Sequence, residues 1–209
     1  MTGSEETEES AGLALDRLMA LSDGVFAIAA TLLVLDLAVP AGLEPDEYRH
    51  ALRDLIPSLA AYALSFIVIT EFWRAHHAIF RYVRRPDQPI IRLAVLGLGL
   101  VALIPFPTDL LAEYGDEWQS VAIYSGTVAA VDVVQLGLVL YLGRHPELLR
   151  REIPHRSMRA MVLGLGGTIL ILGITIAIAW IFGSASKWPW FALIPLKVIA
   201  GRMGRPARA

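Results

Sequence analysis

The sequence contains no cysteine and few charged residues. Because cysteine is absent from all 209 residues, disulfide bonds, cysteine-ligated zinc or iron–sulfur sites and thiol nucleophiles are excluded. Charged residues make up 18% of the chain, whereas a typical soluble domain has about a quarter, and 56% of the residues are hydrophobic. The mean hydropathy is +0.56. This balance indicates a membrane protein of one compact unit, with no sizeable soluble domain.

Patterns typical of enzymes and of carbonyl ion filters are also missing. The chain has no glycine-rich nucleotide-binding pattern, no HExxH zinc pattern and no GxSxG serine elbow. It has no TVGYG segment of the kind that builds a carbonyl filter. Neither terminal segment has the character of a basic nucleic-acid-binding arm. We therefore predict a protein that is not an enzyme, has no cofactor or bound metal and binds no nucleic acid.

Long apolar stretches predict a bundle of transmembrane helices. A helical span needs about 20 apolar residues, and the strict alternation of a β-barrel is absent. The six predicted spans are Leu18 to Val39, Leu55 to Phe80, Pro89 to Leu111, Trp118 to Leu142, Met158 to Phe182 and a shorter Trp188 to Ala200. The predicted fold is all-α, with a disordered acidic tail at residues 1–15, a six-helix transmembrane domain at 16–201 and a basic tail at 202–209.

The distribution of arginine and lysine predicts the orientation of the bundle. Basic residues resist translocation and accumulate in cytoplasmic loops. Most of the 18 basic residues flank the same ends of the predicted spans, whereas Arg49, Arg53 and Lys187 flank the opposite ends. We therefore predict a multi-pass protein of the cell membrane (inner or plasma membrane) with both termini in the cytoplasm.

Polar side chains inside the predicted spans are few, and each needs a partner because an unpaired charge in the bilayer is costly. Glu71 and Arg74 lie three residues apart, as do Asp132 and Gln135, so each pair can partly satisfy itself. Asp23, near the start of the first span, needs a cationic or hydrogen-bonding partner if it is ionised. Structural pairing and a proton or ion relay both remain open for the two helical pairs.

Two adjacent histidines lie near the end of the second predicted span. His76 and His77 point about 100° apart on a helix, so they do not easily ligate one metal ion. Trp73 and His77 are four residues apart and share a helical face. This spacing is typical of a packed histidine whose ring bonds to a neighbouring helix.

An apolar stripe follows Asp23 on the first predicted span. Ile28, Leu32 and Leu35 recur at spacings of four and three residues, which places them on one helical face. Such stripes usually face lipid or other helices. The spacing by itself therefore does not predict a pore.

The segment from Arg17 to Leu37, RLMALSDGVFAIAATLLVLDL, resembles the signature of the transmembrane protein 175 family, which includes a lysosomal potassium channel and its prokaryotic homologues. The family signature is an arginine, three variable residues and then Phe-Ser-Asp at the start of the first helix. Arg17, Ser22 and Asp23 match it, and Leu21 replaces the phenylalanine.

Two further segments are similar to the same family. SFIVITEFWRAHHAIF carries Trp73, His76 and His77 at the end of the second span, and IPFPTDLL ends the third span. Arg92 stands where the family often has asparagine. The three matching segments occur in the family order between residues 17 and 111.

The resemblance implies a homotetramer in the lipid bilayer, with the first helix of each subunit lining a central pore that conducts potassium ions. By position, Ile28 would form the narrowest constriction, with Leu32 and Leu35 one and two turns further along. Thr31 would lie beside the constriction and influence selectivity. Rings of apolar side chains can gate by dewetting, and partial dehydration of the larger potassium ion would give modest selectivity.

The resemblance also implies a hydrogen-bonded layer that fixes the pore helix without touching the ion. Its members would be Arg17, Ser22, Asp23, Trp73 and His77. The predicted function is a passive, potassium-permeable cation channel. The alternatives are a proton-permeable channel that uses Glu71, Asp132, His76 and His77, a small secondary transporter that couples through Glu71 and Asp132, and a non-conducting scaffold.

Overall fold

The computed structural model describes the backbone of residues 3–182 and the side chains of residues 10 and 12–181. Its elements are α1 (Gly3–Leu32), α2 (Pro45–Asp54), α3 (Ile56–Phe80), α4 (Gln88–Leu103), α5 (Pro105–Glu113), α6 (Trp118–Arg144), a 3₁₀ helix (Pro146–Leu148) and α7 (His155–Phe182). The predicted all-helical fold is confirmed for this part of the chain. The predicted sixth span and the predicted tail at 202–209 lie outside the described residues.

Four stretches between residues 3 and 182 are long and apolar enough to cross a membrane. They are Pro45–Phe80, Gln88–Glu113, Trp118–Arg144 and His155–Ile181. They contain the second, third and fourth predicted spans and all of the fifth except its last residue, Phe182, whereas the first predicted span, on α1, is not among them. Two of them are interrupted by proline: Pro57 lies in the first turn of α3 and Pro105 in that of α5. Proline has no backbone N–H, so the preceding helix ends before it and a new one begins.

Helix α1 differs from the predicted first span at both ends. It begins at Gly3, inside the segment predicted to be a disordered tail, and the domain boundary at residue 16 stays a prediction. It ends at Leu32, and the N–H of Leu35 donates to the Leu32 carbonyl at 3.0 Å in the turn that follows. Pro40 disfavours helix in the residue before it. The apolar composition continues to Val39 but the helix does not, so the predicted span is too long.

Helix α6 occupies the centre of the described bundle. It packs against α3, α4, α5 and α7, while α1 packs mainly against α3 and α4. Buried side chains cover about half of α6 and include Val121, Val128, Val131, Leu138 and Leu142, whereas the stripe of Ile123, Val133 and Leu140 is exposed. A helix that is apolar on most sides is typical of the interior of a bundle.

Two loops meet at one end of the bundle. The loop between α3 and α4 and the loop between α6 and α7 form an antiparallel bridge between Val83 and Leu149. The Arg84 N–H also donates to the Leu148 carbonyl at 2.8 Å. The arginines of these two loops therefore lie at the same end of the molecule.

Candidate functional site

One side of α1 is buried against its neighbours. The buried residues recur at intervals of three or four along α1 and just beyond it: Leu15, Leu18, Ser22, Phe26, Ala29 and Leu33. This spacing is the period of a helix that buries a single face. Phe26, Ala29 and Leu33 belong to the same apolar cluster as Phe72 of α3. Ser22 is the polar member of the series and is fully buried.

Ser22 makes a hydrogen bond to α3 from within this buried side. Its hydroxyl donates to the Leu18 carbonyl at 2.8 Å, and the Nε2 atom of His76 lies 3.0 Å from the same oxygen. Because the hydroxyl proton is used in the bond to Leu18, the Ser22 oxygen acts as acceptor and His76 Nε2 must carry the proton. This contact fixes the tautomer and the ring orientation of His76, which is 4% exposed.

Asp23 bonds two further side chains of α3. The Trp73 indole Nε1 donates to the Asp23 carboxylate at 2.8 Å, and His77 Nε2 lies 3.3 Å from the same oxygen. His77 Nδ1 lies 3.1 Å from the Trp73 carbonyl. Both ring nitrogens of His77 thus lie close to oxygen acceptors. Asp23 therefore has the hydrogen-bonding partners that the sequence requires for it.

We call Ser22, Asp23, Trp73, His76 and His77 the α1 clamp. Its rings also pack against each other, with 4.6 Å between the centroids of Trp73 and His77. The clamp combines directional hydrogen bonds with ring packing, so it restricts both the rotation and the sliding of α1 against α3.

The side of α1 opposite the clamp is exposed and mainly apolar. Ile28 is 60% exposed and Leu32 is 41% exposed on α1, and Leu35, in the turn after the helix, is 70% exposed. Thr31 shares this side, but its hydroxyl donates back to the carbonyls of Ala27 and Ile28, each at 3.0 Å. The exposed side of α1 therefore presents aliphatic side chains and no free hydroxyl from Thr31.

The other polar residues predicted inside the spans lie in separate places. Arg74 donates to Glu71 at 3.0 Å, which confirms the predicted pairing on α3. Gln135 does not pair with Asp132: its Nε2 donates to the Phe72 carbonyl at 3.3 Å, and its Oε1 has no partner. Gln135 and His76 line a cavity of about 10 Å³, room for about one water molecule.

A family model described as the endosomal/lysosomal potassium channel TMEM175 matches residues 17–105, from the middle of α1 to the first residue of α5. A protein of Streptomyces collinus that is named a potassium channel is 40% identical over 166 residues, which cover 76% of this chain and 81% of that protein. The chain belongs to the TMEM175 family. The similarity thus extends beyond the residues that carry the α1 clamp.

Other members of the TMEM175 family agree with this assignment. A protein of Chamaesiphon minutus named a potassium channel is 37% identical over 150 residues, 69% of this chain and 74% of that protein. The crystal structure of a lysosomal potassium-selective channel TMEM175 homolog from Chamaesiphon minutus superposes with a TM-score of 0.71 at 30% identity, covering 91% and 96% of the two chains. The endosomal/lysosomal proton channel TMEM175 of Danio rerio is 28% identical over 138 residues; they cover 66% of this chain and 26% of that protein.

The structure brings together four of the five residues predicted for the hydrogen-bonded layer. Ser22, Asp23, Trp73 and His77 lie in the clamp, whereas Arg17 is exposed and forms no hydrogen bond with them in the described structure. Arg17 lies one and a half turns before Asp23, on the outward side of α1.

His76 is the clamp member that was not predicted for this layer. It was weighed for metal binding and proton transfer, yet its ring is buried between Ser22 and Phe80, with 4.4 Å between the centroids of the two rings. The spacing of the residues on α3 indicates that His76 is buried. His76 lies four residues before Phe80 and seven after Ile69, both buried, so it belongs to the buried stripe of α3.

Proposed function

We propose that this chain is the subunit of a potassium-permeable channel that passes cations down their gradient. The observation that carries the proposal is the exposed aliphatic side of α1, on a chain whose 40% identical relative is named a potassium channel. A transmembrane helix that is held by the clamp on one side and exposed on the other must contact lipid, another subunit or a pore with its exposed side. The family relationship favours the pore.

The proposed assembly is a homotetramer of six-helix subunits with both termini in the cytoplasm and residues 16–201 as the channel domain. Closed cyclic symmetry brings the same side of α1 from every subunit to the central axis. Ile28 would form the narrowest ring, Leu32 the next, and Leu35 the mouth, since it lies beyond the helix. A narrow ring of aliphatic side chains excludes water, so conduction requires the ring to widen and become wet.

Selectivity in such a pore would come from dehydration. With no charged side chain at Ile28, Leu32 or Leu35, an ion that passes must lose part of its hydration shell without compensation. That loss costs less for potassium than for the smaller sodium ion. The expected preference is modest, because no fixed oxygen ligands replace the lost water. Thr31 would act through the backbone of α1, since its hydroxyl is bonded to that backbone.

The clamp would hold the pore helix and stay out of contact with the ion. Ser22 and His76 are buried, so they face the subunit interior. Asp23, Trp73 and His77 connect α1 to α3 at the same level. We infer that the clamp sets the rotation of α1 and therefore decides which side chains face the pore.

The proposed function is tested by ion flux in proteoliposomes. Purified protein is reconstituted in vesicles with a potassium gradient and, in parallel vesicles, with a sodium gradient. We expect passive flux that is larger for potassium than for sodium. Equal flux of both ions would contradict the selectivity, and saturable flux that requires a second substrate would favour a secondary transporter.

Proton permeation is a second candidate function, because the relative from Danio rerio is named a proton channel. Proton flux is measured with a proton-sensitive dye inside vesicles that contain the same protein but no potassium. Proton flux that survives substitution of Glu71, Asp132, His76 and His77 would exclude a relay through these side chains. Loss of proton flux with potassium flux retained would assign the relay to them.

A further inference from the structure

The two joined loops at the arginine-rich end form a fixed surface. Besides the bridge between Val83 and Leu149, the Arg150 N–H donates to the Tyr82 carbonyl at 2.8 Å. The Arg150 side chain also donates from Nε to the Val83 carbonyl at 3.0 Å. These bonds hold residues from both loops in register. We call Arg81, Tyr82, Arg150 and Arg151 the Tyr82 platform.

Two guanidinium groups of the platform contact one aromatic ring. The Cζ atom of Arg81 lies 4.9 Å from the Tyr82 ring centroid, and that of Arg151 lies 5.2 Å from it. Arg81 also donates to the Tyr82 hydroxyl at 3.0 Å. The Tyr82 side chain is only 3% exposed, so the ring is a fixed support for both arginines.

Within the part of the chain that the structure describes, neither of these two guanidinium groups has a carboxylate partner. Among the residues that the structure describes, the ion pairs involve other side chains, and neither Arg81 nor Arg151 takes part. Two like charges held near one ring repel each other, and an anion that contacts both removes that repulsion. Planar guanidinium groups bind phosphate oxygens through paired hydrogen bonds.

The carboxylates closest in sequence to the platform are Glu152, Glu147 and Asp87, and among the described residues none of them forms an ion pair with Arg81 or Arg151. Glu147 accepts from His145 Nδ1 at 2.8 Å, and its pKa is lowered first by its own backbone N–H and then by His145. Asp87 caps α4 through the Ile90 N–H and accepts from the Tyr141 hydroxyl. Residues 81–87 and 144–159 together hold eight arginines and three carboxylates, so the surface has a large positive excess.

We propose that the Tyr82 platform binds the phosphate of an acidic membrane phospholipid. Arg81 and Tyr82 follow directly on Phe80, the last residue of α3, and Arg150 and Arg151 lie in the loop between α6 and α7, so the platform lies at the ends of the candidate membrane spans. Lipid phosphates occupy that level of the bilayer, and basic pockets between transmembrane helices bind acidic headgroups. This inference depends on the helices spanning a membrane and not on the ion that is conducted.

The experiment compares two double variants that remove the same charge. R81Q/R151Q removes both guanidinium groups from the Tyr82 ring. R144Q/R156Q removes two exposed arginines from the same end of the bundle without changing a platform contact. Binding of phosphatidylglycerol and of phosphatidylcholine to the full-length protein is measured by titration in detergent with native mass spectrometry.

We expect wild-type protein to prefer phosphatidylglycerol, and R81Q/R151Q to weaken its binding by about tenfold or more, since this variant loses both guanidinium groups that would bond directly to the phosphate. R144Q/R156Q should change the binding less than threefold. An equal loss in both variants, no loss in either, or displacement of the lipid by millimolar inorganic phosphate would overturn the proposal. If the double variant does not fold, R151Q alone and R151K provide the comparison; lysine keeps the charge but loses the planar stacking, so R151K should be intermediate.

Discussion

The two sides of α1 differ in what they contact: one packs against α3 and α4, and the other is exposed. The inward side carries Ser22 and reaches the histidines of α3, whereas the outward side carries Ile28 and Leu32. On the inward side Ser22 is held by directional hydrogen bonds among apolar neighbours, and the outward aliphatic side chains are free to contact lipid, a second subunit or the narrow part of a pore. We therefore expect the inward side to fix the position of α1 against α3, and the outward side chains to decide what α1 contacts outside its own subunit.

The largest effect is expected from the buried end of the clamp. His76→Ala removes a ring packed against Phe80 and leaves the Ser22 hydroxyl without its partner, at a cost of about 3 kcal/mol in the free energy of unfolding. His77→Ala removes a half-exposed ring and should cost about 1 kcal/mol. Thermal unfolding in detergent measures both. Equal losses would contradict the distinction between the two histidines.

Asp23→Ala comes next, because Asp23 is the acceptor for both Trp73 and His77. We expect a loss of about 1 to 2 kcal/mol, since the carboxylate is half-exposed, and a clear fall in the fraction of assembled oligomer. Asp23→Asn keeps an acceptor oxygen and should lose less. The oligomer fraction is measured by size-exclusion chromatography with light scattering. Normal assembly combined with altered ion selectivity would assign Asp23 to the pore instead of the clamp.

Ile28→Asn tests the outward side of α1. An amide at the proposed constriction should keep it wet, so the preference for potassium over sodium should fall while the total flux is kept or increased. Ile67→Asn is the matched control, because Ile67 is also 60% exposed but lies on α3. Flux measurements on both variants with potassium and sodium separate the two positions. Unchanged selectivity in Ile28→Asn would mean that Ile28 does not form the constriction.

The smallest effect is expected from Thr31. Thr31→Val keeps the shape of the side chain and removes the hydrogen bonds to the carbonyls of Ala27 and Ile28. The shift in potassium preference should be smaller than that of Ile28→Asn, and Thr31→Ser should leave the preference nearly unchanged. A larger shift in Thr31→Val than in Ile28→Asn would show that the threonine hydroxyl contacts the ion.

Hydropathy was sufficient to predict the long helices but not their interruptions. Helix α6 (Trp118–Arg144) begins at the same residue as the predicted span from Trp118 to Leu142, because no proline interrupts this apolar run. The break at Ile104 between α4 and α5 was not predicted, although Pro105 marks it. Composition averaged over a span does not register a single missing N–H group.

The helix α2 was also not predicted, because polar side chains dominate it and its apolar stripe of Tyr48, Ala51 and Leu52 is too short to suggest a span. Its start is nevertheless encoded: Glu44 and Glu47 form a capping box around Pro45 in the first turn. That signal is local hydrogen bonding and not hydropathy. A search for helix caps would have found what a search for spans could not.

The candidate site was partly predictable for a related reason. Motif positions identified Asp23, Trp73 and His77, which the structure places in contact, and Ser22, which bonds to His76 beside them. They did not distinguish Arg17, which is exposed, from the residues in the clamp. The direction of a side chain around a helix depends on which neighbour the helix packs against, and one sequence does not specify that neighbour.

The most direct test of the proposed pore uses the absence of cysteine from the chain, which makes any introduced cysteine the single reactive thiol. Ile28→Cys and the control Ile67→Cys are reconstituted in vesicles, treated with a water-soluble, membrane-impermeant thiol reagent and assayed for potassium flux. If α1 lines the pore, the reagent abolishes flux through Ile28→Cys and leaves flux through Ile67→Cys unchanged. If potassium flux through Ile28→Cys is unaffected although its thiol is shown to have reacted, the outward side of α1 does not line the ion pathway.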